Sequence, residues 1–467
     1  MSDLILKRTF FVSISIIVFV FIINAIYFGW TIHSSYIRAD QWRFIELYLY
    51  PLYDNSFEFK MLWSDHHPEP LIASLFILSE KYFDLTVNLY FYVGIIGKAF
   101  FIILFLFLVN KSLKNVGLIF NLLVYVLIVS TFLSLKSINE YAWSLVTLGN
   151  FWLFILLVGA YYLSNIYKEI NIKNSSLLLF ILACLLVFSK DLAIIYIGSI
   201  IGTLLLVLFI DKRYGKFLEV MFIVLLSFLI YKIFYIYIDV EQKYTNSILF
   251  DINNFNIIGI IQSYSIGLLS GVLQIQFLKD IGFENTTILY IGYVILLLYV
   301  MVIIIYIKLR LYNISLIPII FMLFTLVFIT AVILYRFYPS ADIINWVIAS
   351  PRYTKLYEIG IISMFWAIAI IIKTALFNKI LIKTIILMVS VLILINIYAI
   401  KTSWDFSKYV VNTNKKIEKE LFSYVNGNDN KIPKFVRGGF FSEEKVEFLK
   451  KYKLNVFSDN YLKKDIK

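Results

Sequence analysis

Eleven apolar runs, most of them near the length a helix needs to cross a lipid bilayer, constrain this chain more than any other feature. A crossing helix takes about 20 residues. Runs of that order occupy 9–30, 86–109, 116–135, 143–163, 175–189, 192–210, 216–238, 286–307, 311–334, 355–373 and 380–400. Inside lipid every backbone N–H and C=O has to be bonded within the protein, and a helix achieves this within one segment. The 467 residues are 61% hydrophobic, against about 45–50% in soluble domains, which excludes a dissolved globular protein. The expected fold class is an all-α polytopic membrane protein. The first run follows Lys7 and Arg8 but is too long for a signal peptide and lacks a small-residue cleavage site, so it reads as an uncleaved membrane helix. The chain's one cysteine, Cys184, lies in an apolar run, which excludes an internal disulfide and a Cys-x-x-Cys metal pair.

Lysine and arginine set the expected orientation. If the eleven runs alternate, Lys7/Arg8, Lys111/Lys114, Lys168/Lys173, Lys212/Arg213/Lys216, Lys308/Arg310 and Lys373/Lys379/Lys383 fall on one side. The positive-inside rule makes that side, with the N-terminus, cytoplasmic. The other side receives the acidic loop 31–85, short turns at Asn139-Glu140 and Lys190-Asp191, loop 239–285, loop 335–354 and the C-terminal tail. The net charge of +12 is spent first on topology, and what remains suits anionic lipid or a phosphate-bearing substrate. Residues 69–83 are amphipathic and too short to cross, so they are expected in the interface. Residues 254–280 are apolar but carry Asn, Gln, Ser and Gly throughout, and read as interfacial or re-entrant helices, with a pair of true spans as the rival. Hydropathy drops at Lys401. The expected division is a transmembrane domain over 1–400 and a small external region over 401–467, an α/β or helical cap.

The polar chemistry gathers just beyond the first run, in Arg38-Ala-Asp-Gln-Trp-Arg43 and Trp63-Ser-Asp-His-His-Pro-Glu-Pro70. Asp40 lies between Arg38 and Arg43 and beside Trp42. Nearby guanidinium groups keep a carboxylate ionised, and an ionised carboxylate within reach of a hydroxyl can act as a general base. The plainer alternative is a surface aspartate paired with a neighbouring arginine. Pro68 and Pro70 bracket Glu69 and break any helix, so Asp65, His66, His67 and Glu69 belong to an ordered loop able to orient a sugar, shuttle a proton or meet a divalent cation. Adjacent histidines point apart and the spacing matches no zinc pattern. No metal is therefore expected, and His66 and Glu69 are the residues a divalent cation would use.

Further along, Tyr335-Arg-Phe-Tyr-Pro-Ser340 and Ser350-Pro-Arg-Tyr-Thr-Lys355 flank one external loop. Arginine at the mouth of a membrane helix is costly without an anionic partner, and its planar fork suits phosphate oxygens. Arg352 is therefore the first candidate for holding a lipid-linked phosphate, with Tyr353 beside it and Lys355 and Arg336 second. Snorkelling to lipid headgroups is the alternative. Lesser candidates are Glu140, and Lys190 with Asp191 at a helix–helix turn. Lys98 lies inside a run and needs a partner that the sequence does not name. No Walker-type loop, Gly-x-Ser-x-Gly or His-Glu-x-x-His motif occurs, which counts against ATP-driven transport and against serine or zinc hydrolysis.

The arrangement resembles the integral-membrane GT-C glycosyltransferases. Ala39-Asp40-Gln41-Trp42-Arg43-Phe44-Ile45, then Trp63 with Asp65-His66-His67-Pro68, is similar to the pattern of bacterial lipid-phosphate-sugar transferases, including the O-antigen glucosyltransferases of serotype conversion. Those carry an Ala-Asp-Asp-like motif after the first helix and a Trp…Glu-His-Arg-like motif some twenty residues later, and many have an Arg-Tyr near a late span, as in Ser350-Pro-Arg-Tyr353. The likeness covers the whole chain in architecture and about thirty residues in motif. Gln41 replaces the second acid, and Asp65-His66-His67 stands where Glu-His-Arg is common, which puts any arginine-specific contact there in doubt. The resemblance implies a GT-C-like bundle and transfer of a hexose from a polyprenyl-phosphate donor to a cell-surface polysaccharide. It implies Asp40 as base in an inverting displacement and Arg352 on the donor phosphate. It also implies a polyprenyl-phosphate glycosyl synthase and a flippase as functional partners. The rival readings are a transporter or flippase of lipid-linked saccharides, a polymerase, and a non-enzymatic subunit.

Overall fold

The structure is a computed structural model. It describes residues 2–34, 36–37, 41–65, 69–113, 118–167, 172–238, 256–336, 348–374, 379–425 and 442–458. No strand occurs among them, and nine helices are long and apolar enough to cross a membrane. The protein is an all-α, multi-pass membrane protein.

The first helix, α1 (Ser2–Ile32), leads into a helical segment over 41–53 whose middle turn, Ile45–Leu49, is π-helical. Helix α2 (Pro70–Phe83) packs through Ile72, Ala73, Phe76 and Ser79, while Leu78, Tyr82 and Phe83 are exposed. This two-faced character is what an interfacial helix requires. Then follow α3 (Asn88–Ser112), α4 (Leu118–Phe132), the short α5 (Ile138–Ala142), α6 (Ser144–Ile166) and α7 (Ile172–Phe188). Helices α8 (Lys190–Tyr196) and α9 (Gly202–Ile210) are joined through a π turn into one span, Ala193–Ile210, and α10 (Tyr214–Ile238) follows. Of the eleven expected spans, 116–135 and 175–189 correspond to α4 and α7, whose apolar stretches Asn121–Phe132 and Asn174–Phe188 are short. The other nine reach spanning length.

Helix α11 (Ile257–Val272) and the short α12 (Ile275–Asp280) occupy the segment expected to be interfacial or re-entrant. The small side of α11 is buried against α13 (Asn285–Lys308) and α15 (Pro351–Thr374), and α14 (Ile317–Arg336) packs beside them. A Cβ on Gly271 would lie 2.9 Å from the Tyr357 backbone, and one on Gly292 would lie 2.9 Å from the Ser265 carbonyl. Glycine and serine let membrane helices approach backbone to backbone, and the small residues of α11 serve that close packing. Helix α15 is the centre of the bundle, with 83% of its spanning window buried. The tightest pair is α3 with α6, where a Cβ on Gly97 would lie 2.5 Å from the Phe151 Cα and one on Gly94 would run into the Thr147 carbonyl.

The division expected at residue 400 falls inside one continuous helix, α16 (Lys379–Val425). The tail returns as α17 (Glu443–Lys451) and packs on the segment 41–85. Val446, Leu449, Leu454 and Phe457 share a buried core with Trp42, Ile45, Tyr48, Trp63 and Phe76. Lys445 pairs with Glu46 at 3.0 Å. Asn455 donates to the Leu85 carbonyl at 2.8 Å and accepts from the Ile37 N–H at 3.3 Å. First loop and tail thus form one layer at one end of the bundle, helical in its described parts.

Candidate functional site: an amphiphilic cavity above buried ion pairs

A cavity of about 380 Å³ opens between the first-loop segment and helices α6, α8, α14 and α15. One wall is the α6 stripe Leu145, Leu148, Gly149, Trp152, Leu153 and Leu156. That spacing puts all six on one helical face, and eleven steps along a helix make the wall about 16 Å long. Phe324 and Phe328 of α14 and Ile195 and Tyr196 of α8 stand opposite. The charged and polar lining is Arg43, Tyr48, Asp65 and Glu69 from the first loop and Lys355 from α15, interleaved with Phe44, Ile72, Ala73 and Leu356. The site is therefore polar at one part of its wall and apolar along the rest.

The polar part is assembled from distant segments. Arg43 Nη2 lies 2.8 Å from Asp65 Oδ2, with both side chains nearly dry, and the Arg43 guanidinium also sits over the Phe44 ring. Trp63 anchors this loop by donating from Nε1 to the Val187 carbonyl at 2.7 Å. Burial, reinforced by the charge of Asp65, pushes the Tyr48 phenol well above its ordinary value, so it stays protonated. Lys355 is only 6% exposed and donates from Nζ to the Val146 carbonyl at 2.7 Å.

Beneath the cavity lie two buried ion pairs. Lys98 Nζ is 2.8 Å from Glu140 Oε1 and donates to the Tyr141 hydroxyl at 2.7 Å. Lys136 Nζ is 3.1 Å from Glu358 Oε1 and donates to the Gly271 and Val272 carbonyls. Burial alone would push the Glu140 carboxyl up, but the Lys98 and Lys355 ammonium groups outweigh it and hold the carboxyl below its ordinary range. The cluster counts three lysines, Lys98, Lys136 and Lys355, against two glutamates, Glu140 and Glu358. Of the three lysines Lys355 is the one that lines this cavity, where the charged groups are Arg43 and Lys355 with Asp65 and Glu69.

The structure brings four expected site residues, Arg43, Asp65, Glu69 and Lys355, to one cavity. Asp40, His66 and His67 lie outside the described residues, as do the side chains of Arg336, Lys190 and Asp191. Trp42 belongs to the buried core under the loop and does not line the cavity. Arg352, the first candidate for the phosphate, does not line it either. It stacks on the Tyr353 ring at 4.7 Å, and its Nε is buried with no hydrogen bond. Lys355, one helical turn further into α15, takes the place at the wall. Glu140 gains a role as the partner of Lys98. Among the described residues no three His, Cys, Asp or Glu side chains converge on a metal-sized site.

Sequence reasoning missed Lys136, Glu358 and Gly149. Glu358 had a legible signal, an ionisable residue inside an apolar run, which is rare and marks a partner or a function. The Tyr196 hydroxyl is another unread feature. It is buried at the cavity with no hydrogen bond, its ring fitted against Gly159 of α6, where a Cβ would lie 3.2 Å from it. Compared with protein-family models, curated proteins and solved structures, the chain matches none.

Proposed function

We propose that this protein is a membrane glycosyltransferase of the GT-C kind. In this reading it moves a single hexose, such as glucose, from a polyprenyl-phosphate donor to a cell-surface polysaccharide such as O-antigen. The reaction takes place at the external face of the bacterial cytoplasmic membrane. The observation that carries the reading is the cavity, where the buried Lys355 ammonium stands with the Arg43–Asp65 pair and the Glu69 carboxylate at one part of a long apolar wall. A lipid-linked phosphate has that division of character: one anion on a hydrocarbon chain.

In this mechanism the chain lies along α6 and α14, and Lys355 holds the phosphate. Asp40 removes the proton of the acceptor hydroxyl. The freed oxygen attacks the anomeric carbon, the bond from that carbon to the phosphate oxygen breaks, and the polyprenyl phosphate leaves with the electron pair. Lys355, in surroundings poor in water, stabilises the charge that grows on the leaving phosphate. Arg43, Asp65 and Glu69 orient the sugar, with His66 and His67 on the same loop. The eleven-span topology, cytoplasmic N-terminus and external C-terminus complete the scheme. A polyprenyl-phosphate glycosyl synthase and a flippase supply the donor.

The test is transfer from radiolabelled polyprenyl-phosphate hexoses by membranes carrying wild-type protein, Asp40→Asn or Lys355→Met. Asp40→Asn should abolish transfer in an inserted, folded protein, and Lys355→Met should raise the donor concentration needed. Near-normal transfer by Asp40→Asn removes it as base, and no transfer from any donor by wild-type protein sinks the reading. A second reading, transport of a lipid-linked saccharide, is favoured by the ion pairs Lys98–Glu140 and Lys136–Glu358, since polar groups inside the bundle are what a translocation path needs. Movement of a labelled donor across proteoliposomes without product formation would select it.

A further inference from the structure

Gly149 sits in the interior of α6, where glycine is less favourable than alanine. Gly94 and Gly97 on α3 are explained by the backbone of α6 that lies against them. Gly149 has no such neighbour. Among the described residues, and apart from its chain neighbours and its own helix's backbone, a Cβ there would meet within 4 Å only Nζ of Lys355, at 3.0 Å, and its Cε, at 3.7 Å. In a helix the Cα–Cβ bond tilts toward the N-terminus, so a side chain at 149 would lean over the carbonyl of Val146. That carbonyl is the acceptor for Lys355 Nζ. Both Gly149 and Lys355 line the cavity.

We propose that Gly149 is a positioning residue for an anion site. Its missing side chain lets the Lys355 ammonium rest on the Val146 carbonyl at the cavity wall, and so sets where the phosphate of an amphiphilic ligand is held. The inference rests on the reading of the cavity as a lipid-phosphate site and adds the residue that fixes its geometry. A methyl group at 149 displaces the ammonium by a few tenths of an ångström. With an effective dielectric constant of about 20, moving it from about 3 Å to about 3.4 Å from a phosphate oxygen weakens binding roughly threefold.

The experiment uses the full-length protein in a mild detergent, with farnesyl phosphate as probe and farnesol as its uncharged match, followed by titration calorimetry. Gly149→Ala should lose roughly threefold in affinity for farnesyl phosphate and leave farnesol binding unchanged. Lys355→Ala deletes both Lys355 atoms that the new methyl would meet, so in that background Gly149→Ala should have no effect. The unfolding midpoint of Gly149→Ala should not fall, and a fall that Lys355→Ala fails to relieve assigns the glycine to packing and overturns the proposal. Wild-type affinity for farnesyl phosphate in Gly149→Ala, or an equal loss in both backgrounds, also overturns it and leaves the anion site standing. If the wild-type protein binds farnesyl phosphate no better than farnesol, the anion site itself is absent, and this inference falls together with the donor pocket.

Discussion

Replacing Lys98 by methionine keeps an aliphatic stem of similar length and deletes the ammonium group. In the native protein that group is 2.8 Å from Glu140 and 2.7 Å from the Tyr141 hydroxyl. The two side chains of the pair are 9% and 4% exposed, so water does not replace what is lost. Stripping one partner from a buried pair costs about 3–5 kcal/mol, because a charge is stranded in a poor solvent. Here Lys355 is near enough to act on Glu140, and the expected cost is at the lower end, about 3 kcal/mol. Removing the stranded charge as well, in Lys98→Met/Glu140→Gln, should recover about 1–2 kcal/mol, the coupling of residues in direct contact. The variant should also draw Lys355 toward Glu140 and weaken farnesyl phosphate binding, although Lys98 does not line the cavity. The assay is thermal unfolding in mild detergent, read as the surviving monodisperse fraction of a fluorescent fusion, with binding measured on the same preparations. Equal stability of Lys98→Met and the wild type, or no recovery in the double variant, would refute the ion-pair reasoning.

Four further outcomes are expected. The Glu140 carboxyl is held below its ordinary value of 4.5 by Lys98 and Lys355 against the opposing effect of burial. Its contribution to stability is therefore complete above that value and is lost as pH falls through the lower folded value, so acid should destabilise the wild type more steeply than Glu140→Gln. Gly97→Leu should force α3 away from α6 at a cost of about 1–3 kcal/mol, read by the same unfolding assay, since its Cβ would already lie 2.5 Å from the Phe151 Cα. Arg352→Ala should raise the apparent donor requirement less than Lys355→Met does, because Arg352 is stacked on Tyr353 and away from the cavity; the reverse order in a donor titration would restore Arg352 as the phosphate ligand. Asn455→Leu should leave the Ile37 N–H and the Leu85 carbonyl without their partner at about 1–3 kcal/mol for each buried orphan, and limited proteolysis should then release the tail beyond α16 faster.

The class of this protein was legible from the apolar runs alone, because a bilayer leaves an apolar chain few ways to satisfy its backbone. The polar cluster at 38–70 and its distant counterpart at Ser350–Lys355 were legible too, since charged and His-rich segments are scarce in such a chain. The cavity brings Arg43, Asp65 and Glu69 against Lys355. Other features were not legible in a linear reading. Lys98 was visible as a buried cation in need of a partner, but that partner is set by how α3 and α5 face each other. The glycines and serines of 257–272 look polar in a hydropathy count, which does not show that they let α11 approach α13 and α15 closely. That Lys355 and not Arg352 lines the cavity depends on one helical turn of α15. Composition and spacing determine that this chain lives in lipid and where its charges gather. Which charge meets which, and which one stands at the cavity wall, is decided by helix rotation and approach, because side-chain direction in a packed bundle is a property of the neighbours as much as of the residue.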